Sequence, residues 1–255
     1  SIASTLKFEG ILTLQIRGEG PVSLIVADVQ TEKDEAGEIQ LNLRGYASFD
    51  EAQVAALPLD ASIPKIVGNG SMAFTLDQGE NMERYQGIVA LEGATLTECL
   101  THYFAQSDQF SMSINLAVQT SFEGDKISRG SSITLQRLPS VGGDAGKVAK
   151  KDDEEIEDDW RRSVILMGTA TKDELLDVDL SANDLLYRLF HDEGVRVFEP
   201  TKVRAKCRCS RDRIFTVLKS LSEDDIDYAA VDGHVATTCE FCATTHSFSV
   251  ASLKI

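Results

Sequence analysis

No long apolar run occurs in the sequence. Its longest apolar stretches, such as Leu24-Ile25-Val26-Ala27, are strand-sized, far short of the roughly 18 residues a membrane-spanning helix needs. There is no basic-then-apolar leader, so nothing supports secretion. Basic residues are in deficit, with 25 Lys and Arg against 41 Asp and Glu and a formal charge of −16. Such a chain repels a duplex rather than neutralising its phosphates, which excludes a bulk nucleic-acid binder. An initiator Met is absent, and the chain opens at Ser1-Ile2-Ala3-Ser4 almost directly in a strand-like run; a processed or trimmed N-terminus is expected. Cysteine is sparse and odd in number, five residues of which all but Cys99 lie beyond residue 200. That disfavours a secreted disulfide framework. No convincing internal repeat is found.

What remains is ordinary globular composition, 42% hydrophobic and 26% charged, over 255 residues, with room for two domains. From Thr5 to about Leu138 apolar residues alternate with polar ones: Leu12, Leu14 and Ile16; Val22, Leu24 and Val26; Ile39, Leu41 and Leu43; Met72, Phe74 and Leu76; Ile114, Leu116 and Val118; Ile133 and Leu135. Turn signals separate them at Gly18-Glu19-Gly20-Pro21, Asn69-Gly70 and Glu123-Gly124-Asp125. One helix interrupts, Thr95 to Ser107, with Leu96, Cys99, Leu100, Tyr103 and Phe104 on one face and Thr95 and Glu98 at capping-box spacing. The fold class expected is α+β, a largely antiparallel sheet with packed helices.

Composition breaks at Pro139. Ser140 to Gly146 is small and flexible in character, and seven of the eight residues from 152 to 159 are acidic, so a solvated linker is expected there. Thr171 and Ser181 then read as helix starts with acidic first turns, and Leu185, Leu186, Leu189 and Phe190 follow at helical spacing. Residues from about 160 to 195 are therefore expected to be short amphipathic helices beside an acidic tether. Their apolar face either packs on the first domain or, as a tethered face that can leave its partner, is a binding surface with a switch. The domains expected are 1–139, an α+β core; 140–203, an acidic and helical linker; and 204–255, a small cysteine-bearing unit.

Four of the cysteines form a pattern. Cys207-Arg208-Cys209 is C-x-C and, after 29 residues, Cys239-Glu240-Phe241-Cys242 is C-x-x-C. Two close pairs from separate segments suit a tetrahedral thiolate site for one zinc ion. The unit around them offers a helix at Ile214, Val217, Leu218 and Leu221, a second opening at Ser222, an Asp232-Gly233 turn, and a hairpin of Val235 to Phe241 with Ser247 to Leu253. With so little apolar mass, metal binding supplies on the order of 10 kcal/mol of its folding free energy. A purely structural zinc site is the plain alternative, a thioredoxin-like C-x-x-C a weaker one, and His234 and His246 are substitute ligands of lower rank. Arg204, Lys206, Arg208, Arg211 and Arg213 crowd the C-x-C pair, and cations favour the thiolate that peroxide attacks. Each close pair holds its own resolving partner, so the spacing permits Cys207–Cys209 and Cys239–Cys242 disulfides. Cys99, on an apolar helix face, reads as a small buried hydrophobe.

The cysteine arrangement, after a linker and an α+β domain, resembles the heat-shock protein 33 family of redox-regulated chaperones. Ordered blocks extend the resemblance along the chain: Thr5-Leu-Lys-Phe-Glu-Gly10, Arg17-Gly-Glu-Gly-Pro21, Val67-Gly-Asn-Gly70, the run from Glu83 to Gly93, Leu186-Tyr-Arg-Leu-Phe-His191 and Lys206-Cys-Arg-Cys-Ser-Arg211. It implies a cytoplasmic holdase that uses no ATP and is not an enzyme. When reduced, such a protein is monomeric, holds zinc through Cys207, Cys209, Cys239 and Cys242, and has little activity. Oxidation with unfolding stress forms the two neighbouring disulfides, expels zinc and unfolds the metal domain and linker. Dimers then bind unfolding clients, which later pass to ATP-dependent foldases; neither nucleic acid nor membrane takes part. The family usually carries a helical segment ahead of the strand expected near Thr5, and this chain is expected to start inside its end. Two alternatives from other classes are a zinc-ribbon nucleic-acid module built on the basic cluster and a thiol oxidoreductase using Cys239 and Cys242.

Overall fold

The alternating runs become strands because one face of each can be buried while the other stays wet. The computed structural model describes residues 2–5, 8–79, 82–107, 111–120, 128–137 and 152–254. A helical turn, α1 (Ile2–Thr5), opens the chain, and Ala3 within it is buried in the core. The strand expected near Thr5 begins only at Ile11, because Phe8 and Ala3 anchor this entry segment beside the sheet instead of within it. Strands β1 (Ile11–Gly18), β2 (Val22–Lys33), β3 (Ile39–Phe49), β4 (Gly70–Asp77) and β5 (Tyr85–Ala90) then pair antiparallel in the order β5-β4-β1-β2-β3. Two short helical turns, α2 (Glu51–Ala55) and α3 (Ile63–Ile66), lie between β3 and β4. The glycines at the β1–β2 turn are required by close approach. A Cβ on Gly18 would sit 2.1 Å from the Val67 carbonyl oxygen, and the Gly20 N–H donates to that same oxygen at 2.7 Å.

The expected helix is α4 (Leu96–Ser107). Glu98 accepts from the Thr95 N–H while the Thr95 hydroxyl accepts from the Glu98 N–H at 3.2 Å, which closes the anticipated capping box. Cys99, Leu100, Tyr103 and Phe104 are all buried on the sheet against Leu12, Ile16, Met72 and Phe74. Cys99 is thus the buried hydrophobe expected. A separate hairpin, β6 (Met112–Thr120) with β7 (Ser128–Gln136), carries on from α4. The Glu123-Gly124-Asp125 turn and the Ser140–Gly146 segment lie outside the described residues.

The acidic block is exposed at residues 152–155 and 158, but it is helical rather than irregular. Residues 153–159 form the first half of a sixteen-residue helix, α5 (Asp153–Gly168). Asp152 and Glu155 make a reciprocal capping box, and Asp153, Glu154 and Glu155 occupy the first turn, where the helix dipole favours negative charge. Arg161 and Arg162 follow one turn later and pair with Asp158 at 3.7 Å and Asp159 at 2.7 Å. Like charges therefore repel less here than composition implies. Helices α6 (Lys172–Leu176) and α7 (Ala182–Phe190) start at the expected caps, Thr171 and Ser181.

Strand β8 (Lys202–Ala205) was not anticipated. It pairs parallel with β3, Gln40 opposite Lys202 through Leu43 opposite Ala205, and becomes the sixth strand of the main sheet. After it come α8 (Arg211–Lys219), α9 (Glu223–Ala229), β9 (His234–Thr238), β10 (Thr245–Ser249) and the turn α10 (Val250–Leu253). The second strand of the expected hairpin starts two residues earlier than read and ends at Ser249, where Val250–Leu253 turn helical so that Leu253 reaches the small core of Leu218, Ile226, Val235 and Phe248. Asp232 and Gly233 both take positive φ, 50° and 74°, as the turn requires.

Candidate metal centre and its seat on the sheet

Two tight turns bring the cysteines together. In the first, Cys207 and Cys209 lie between β8 and the Ser210 cap of α8, and the Cys209 N–H points at Cys207 Sγ at 3.5 Å. The second is the β9–β10 turn. There Cys239 donates its N–H to the Thr244 carbonyl at 2.9 Å and accepts from the Ala243 N–H at 2.7 Å, while Ala243 adopts a φ of 55°. The four sulfurs lie within 4.8 Å of one another. Cys207 Sγ is 3.7 Å from Cys239 Sγ, and Cys209 Sγ is 3.4 Å from Cys242 Sγ. A tetrahedral zinc with bonds of about 2.3 Å asks for sulfur separations of about 3.8 Å, so the donor set fits such an ion in both kind and spacing. Among the described residues this is the one group of three or more potential ligands so gathered, and neither His234 nor His246 belongs to it.

The sulfurs are not equivalent as thiols. Cys242, the exposed one, is brought down to about 6 by the Thr244 hydroxyl, 3.3 Å away, and the Thr244 backbone N–H. Cys209 is pushed up to about 12, chiefly by Cys242 and then by Cys207. Burial opposes the Cys207 thiolate, yet hydrogen bonding from the Cys209 N–H carries it below the ordinary thiol value. One sulfur with a lowered value therefore comes from each chain segment.

The cluster is seated on the edge of the main sheet. Arg208, between the two cysteines, donates to Asp28 Oδ2 at 2.6 Å. Asp28, in β2, is 3% exposed and also receives Arg44 Nε and Nη2 at 2.9–3.1 Å. Arg44, in β3, reaches on to Cys207 Sγ at 4.0 Å and stacks its guanidinium 3.8 Å from the Phe241 ring centre. Tyr46 meets the same ring edge-on at 4.6 Å. Further along, Arg204 donates to Asn42 and Glu32, and Lys206 to Glu32 at 2.6 Å. Arg213 donates to the Arg208 carbonyl, and Arg211 covers Phe248. The basic cluster that suggested a nucleic-acid surface is thus engaged within the protein.

Sequence reasoning missed Asp28, Arg44, Tyr46 and Phe241 as parts of this seat. The one signal available was a charged residue inside the apolar run Val26-Ala27-Asp28-Val29.

The linker leucines lie elsewhere. Leu185 and Leu189 are buried, and Leu186 and Phe190 half-buried. The α7 face packs with Leu175 and Ala170 on Ala117 of β6 and Ile133 of β7. Asn115 of β6 donates to the Met167 and Ala170 carbonyls at 3.3 and 3.0 Å, which fixes the end of α5 to the same hairpin. In this conformation the apolar face is covered.

Fold and site together define an α+β protein with a C-terminal four-cysteine module docked on its sheet. The sequence profile of the family described as Hsp33 protein matches residues 1–249, and the chain belongs to that family. It is 38% identical over 247 residues to a 33 kDa chaperonin of Caulobacter vibrioides, covering 95% of this chain and 76% of the relative. A 33 kDa chaperonin of Pseudomonas fluorescens is 36% identical over 254 residues, covering 99% and 75%. The crystal structure of the Thermotoga maritima 33 kDa chaperonin, a heat shock protein 33 homologue, superposes with a TM-score of 0.74 at 21% identity, over 99% of this chain and 79% of that one; this establishes the likeness of fold. No helix among the described residues is long and apolar enough to cross a membrane.

Proposed function

We propose that this protein is a redox-regulated, ATP-independent holdase of the cytoplasm that acts by binding unfolding proteins rather than by catalysis. In this reading residues 1–139 are the core domain, 140–203 the linker and 204–255 the switch, with Cys207, Cys209, Cys239 and Cys242 as the ligands of one zinc ion. The four cysteines would hold the ion as thiolates, and the ion would then join two segments whose shared core has only five buried apolar residues. Two equivalents of peroxide, with four protons from the solvent, convert the four thiolates into two disulfides and four waters. In the folded module sulfurs also meet across the segments, Cys207 with Cys239 at 3.7 Å and Cys209 with Cys242 at 3.4 Å. Once the module loosens, each close pair stays together in sequence and holds its own resolving partner, which gives Cys207–Cys209 and Cys239–Cys242. The oxidised cysteines no longer serve as ligands, and the module loses its fold.

The observation that carries the proposal is the placement of Arg208. It lies inside the C-x-C pair and ends on a carboxylate buried in the first domain, so loss of the cluster's geometry also releases the sheet edge. The linker helices, joined to β8 through residues 191–201, lose that anchor, and the Leu185, Leu186, Leu189 and Phe190 face can open to clients. The reduced protein is a monomer and the activated one a dimer, with bound clients passing later to ATP-dependent foldases. The test compares suppression of aggregation of a thermally unfolding client by the reduced, zinc-loaded protein and by the protein oxidised with peroxide at raised temperature. Activity confined to the oxidised form supports the reading; equal activity in both forms overturns it.

A further inference from the structure

We infer that the outer edge of β3, occupied by β8 in this state, is a strand-addition site for clients, and that it selects extended segments in which Lys or Arg alternates with small apolar residues. This deepens the proposed function and rests on its claim that oxidation releases the switch module. An edge strand offers unpaired N–H and C=O groups that template another strand. β3 runs eleven residues from Ile39 to Phe49, and β8 pairs with only Gln40 to Leu43 of it. The Lys206 N–H donates to the Leu43 carbonyl at 3.1 Å, which orients the backbone groups of the odd-numbered β3 residues outward.

What now occupies the edge defines what fits it. Lys202, Arg204, Lys206 and Arg208 alternate along one face and meet, in turn, Glu38 at 3.8 Å, Glu32 at 3.0 and 2.6 Å, and Asp28 at 2.6 Å. Val203 and Ala205 point to the other face opposite Leu41 and Leu43. When β8 leaves, Glu32 and Glu38 lose these cations, Asp28 keeps only Arg44, and Leu41 joins the already exposed Ile39, Leu43 and Phe49 in an apolar row. An incoming strand with a cation at every second position restores both sets of contacts, and the chain's charge of −16 draws such segments in. The linker's apolar face asks for neither an extended backbone nor positive charge, so the two surfaces are separable.

The test uses the full chain, oxidised with peroxide and free of zinc. The probe is a synthetic peptide of residues 202–209 carrying Cys207→Ser and Cys209→Ser, and the control replaces each of its Lys and Arg by Glu. Amide hydrogen exchange is followed at Leu41 and Leu43, with peptide affinity measured by fluorescence anisotropy at low salt. Oxidation alone is expected to deprotect both amides. The basic peptide then reprotects them and binds about tenfold more tightly than the acidic one, the size expected of a few partly exposed ion pairs. Glu32→Lys, an exposed change, is expected to erase that preference. Equal affinity for the two peptides, or binding without reprotection of β3, overturns the inference and leaves the proposed function standing. Persistent protection of Leu41 and Leu43 in the oxidised protein alone means β8 has not left, and it overturns the inference together with the proposed release of the sheet edge, while the aggregation assay decides the holdase reading.

Discussion

Arg208 Nη2 and Asp28 Oδ2 lie 2.6 Å apart across 180 residues of sequence. One end of this contact is flanked by two cysteines of the sulfur cluster, and the other is buried in the second strand of the main sheet. The contact makes the state of the cluster and the docking of the C-terminal module a single structural question.

Removing the charge at Asp28 is therefore expected to loosen the module without touching a sulfur. Asp28→Asn leaves Arg44 and Arg208 facing a neutral acceptor. Their side chains keep 17% and 20% exposure, so the loss should be about 2–4 kcal/mol, at or below the usual range for breaking a buried pair. Zinc release under a fixed peroxide dose should be several-fold faster than in wild type, with stoichiometry unchanged before oxidation. Metal release at the wild-type rate would show that the ion pair does not restrain the module.

Phe241 supplies the other half of the seat. Phe241→Ala removes the Arg44 stack and the Tyr46 edge contact, worth together about 1–2 kcal/mol. Because the ring is not a ligand, the variant should bind one zinc as tightly as wild type but release the module at a lower temperature, read by limited proteolysis between residues 194 and 206. A large fall in zinc affinity would instead place Phe241 in the metal site's own stability.

Leu189 tests the linker. The side chain is 3% exposed beneath α7, and Leu189→Ala should cost about 2–4 kcal/mol through the cavity it leaves. The reduced, zinc-loaded variant is expected to bind a hydrophobic dye and to suppress client aggregation in part. A destabilised variant with no gain in either would mean that an open linker face is not a client surface.

Docking of β8 should also depend on acid. Lys206, Asn42 and Arg204 hold the Glu32 carboxyl at about 2, against an ordinary 4.5. A carboxylate depressed in the docked state stabilises docking fully above its ordinary value, and the contribution fades as pH falls from about 4.5 toward 2. The Lys206 amide resonance should report this weakening, and Glu32→Gln should remove that part of the pH dependence. An unchanged profile in Glu32→Gln would assign the acid response to other carboxylates.

Local signals were readable in the sequence, and long-range registers were not. Thr95 and Glu98 announced α4, Thr171 and Ser181 announced α6 and α7, and the two cysteine pairs announced the cluster, because each pattern is complete within a few residues. The acidic block misled because net composition ignores position: Asp153, Glu154 and Glu155 fall where the helix dipole wants them. Strand β8 is four residues long, and its partner lies some 160 residues earlier, so nothing local distinguishes it from a basic linker. Arg44 and Asp28 escaped for the same reason, since only the β2–β3 register puts them side by side.

The most direct measurement follows zinc release, thiol oxidation and holdase activity in one sample treated with peroxide at raised temperature, with disulfides mapped by mass spectrometry. The proposed switch releases one zinc per chain as Cys207–Cys209 and Cys239–Cys242 form, with activity rising on the same time course and the disulfides reversing with dithiothreitol. Zinc that stays bound while activity appears, or that leaves while the client still aggregates, would contradict it.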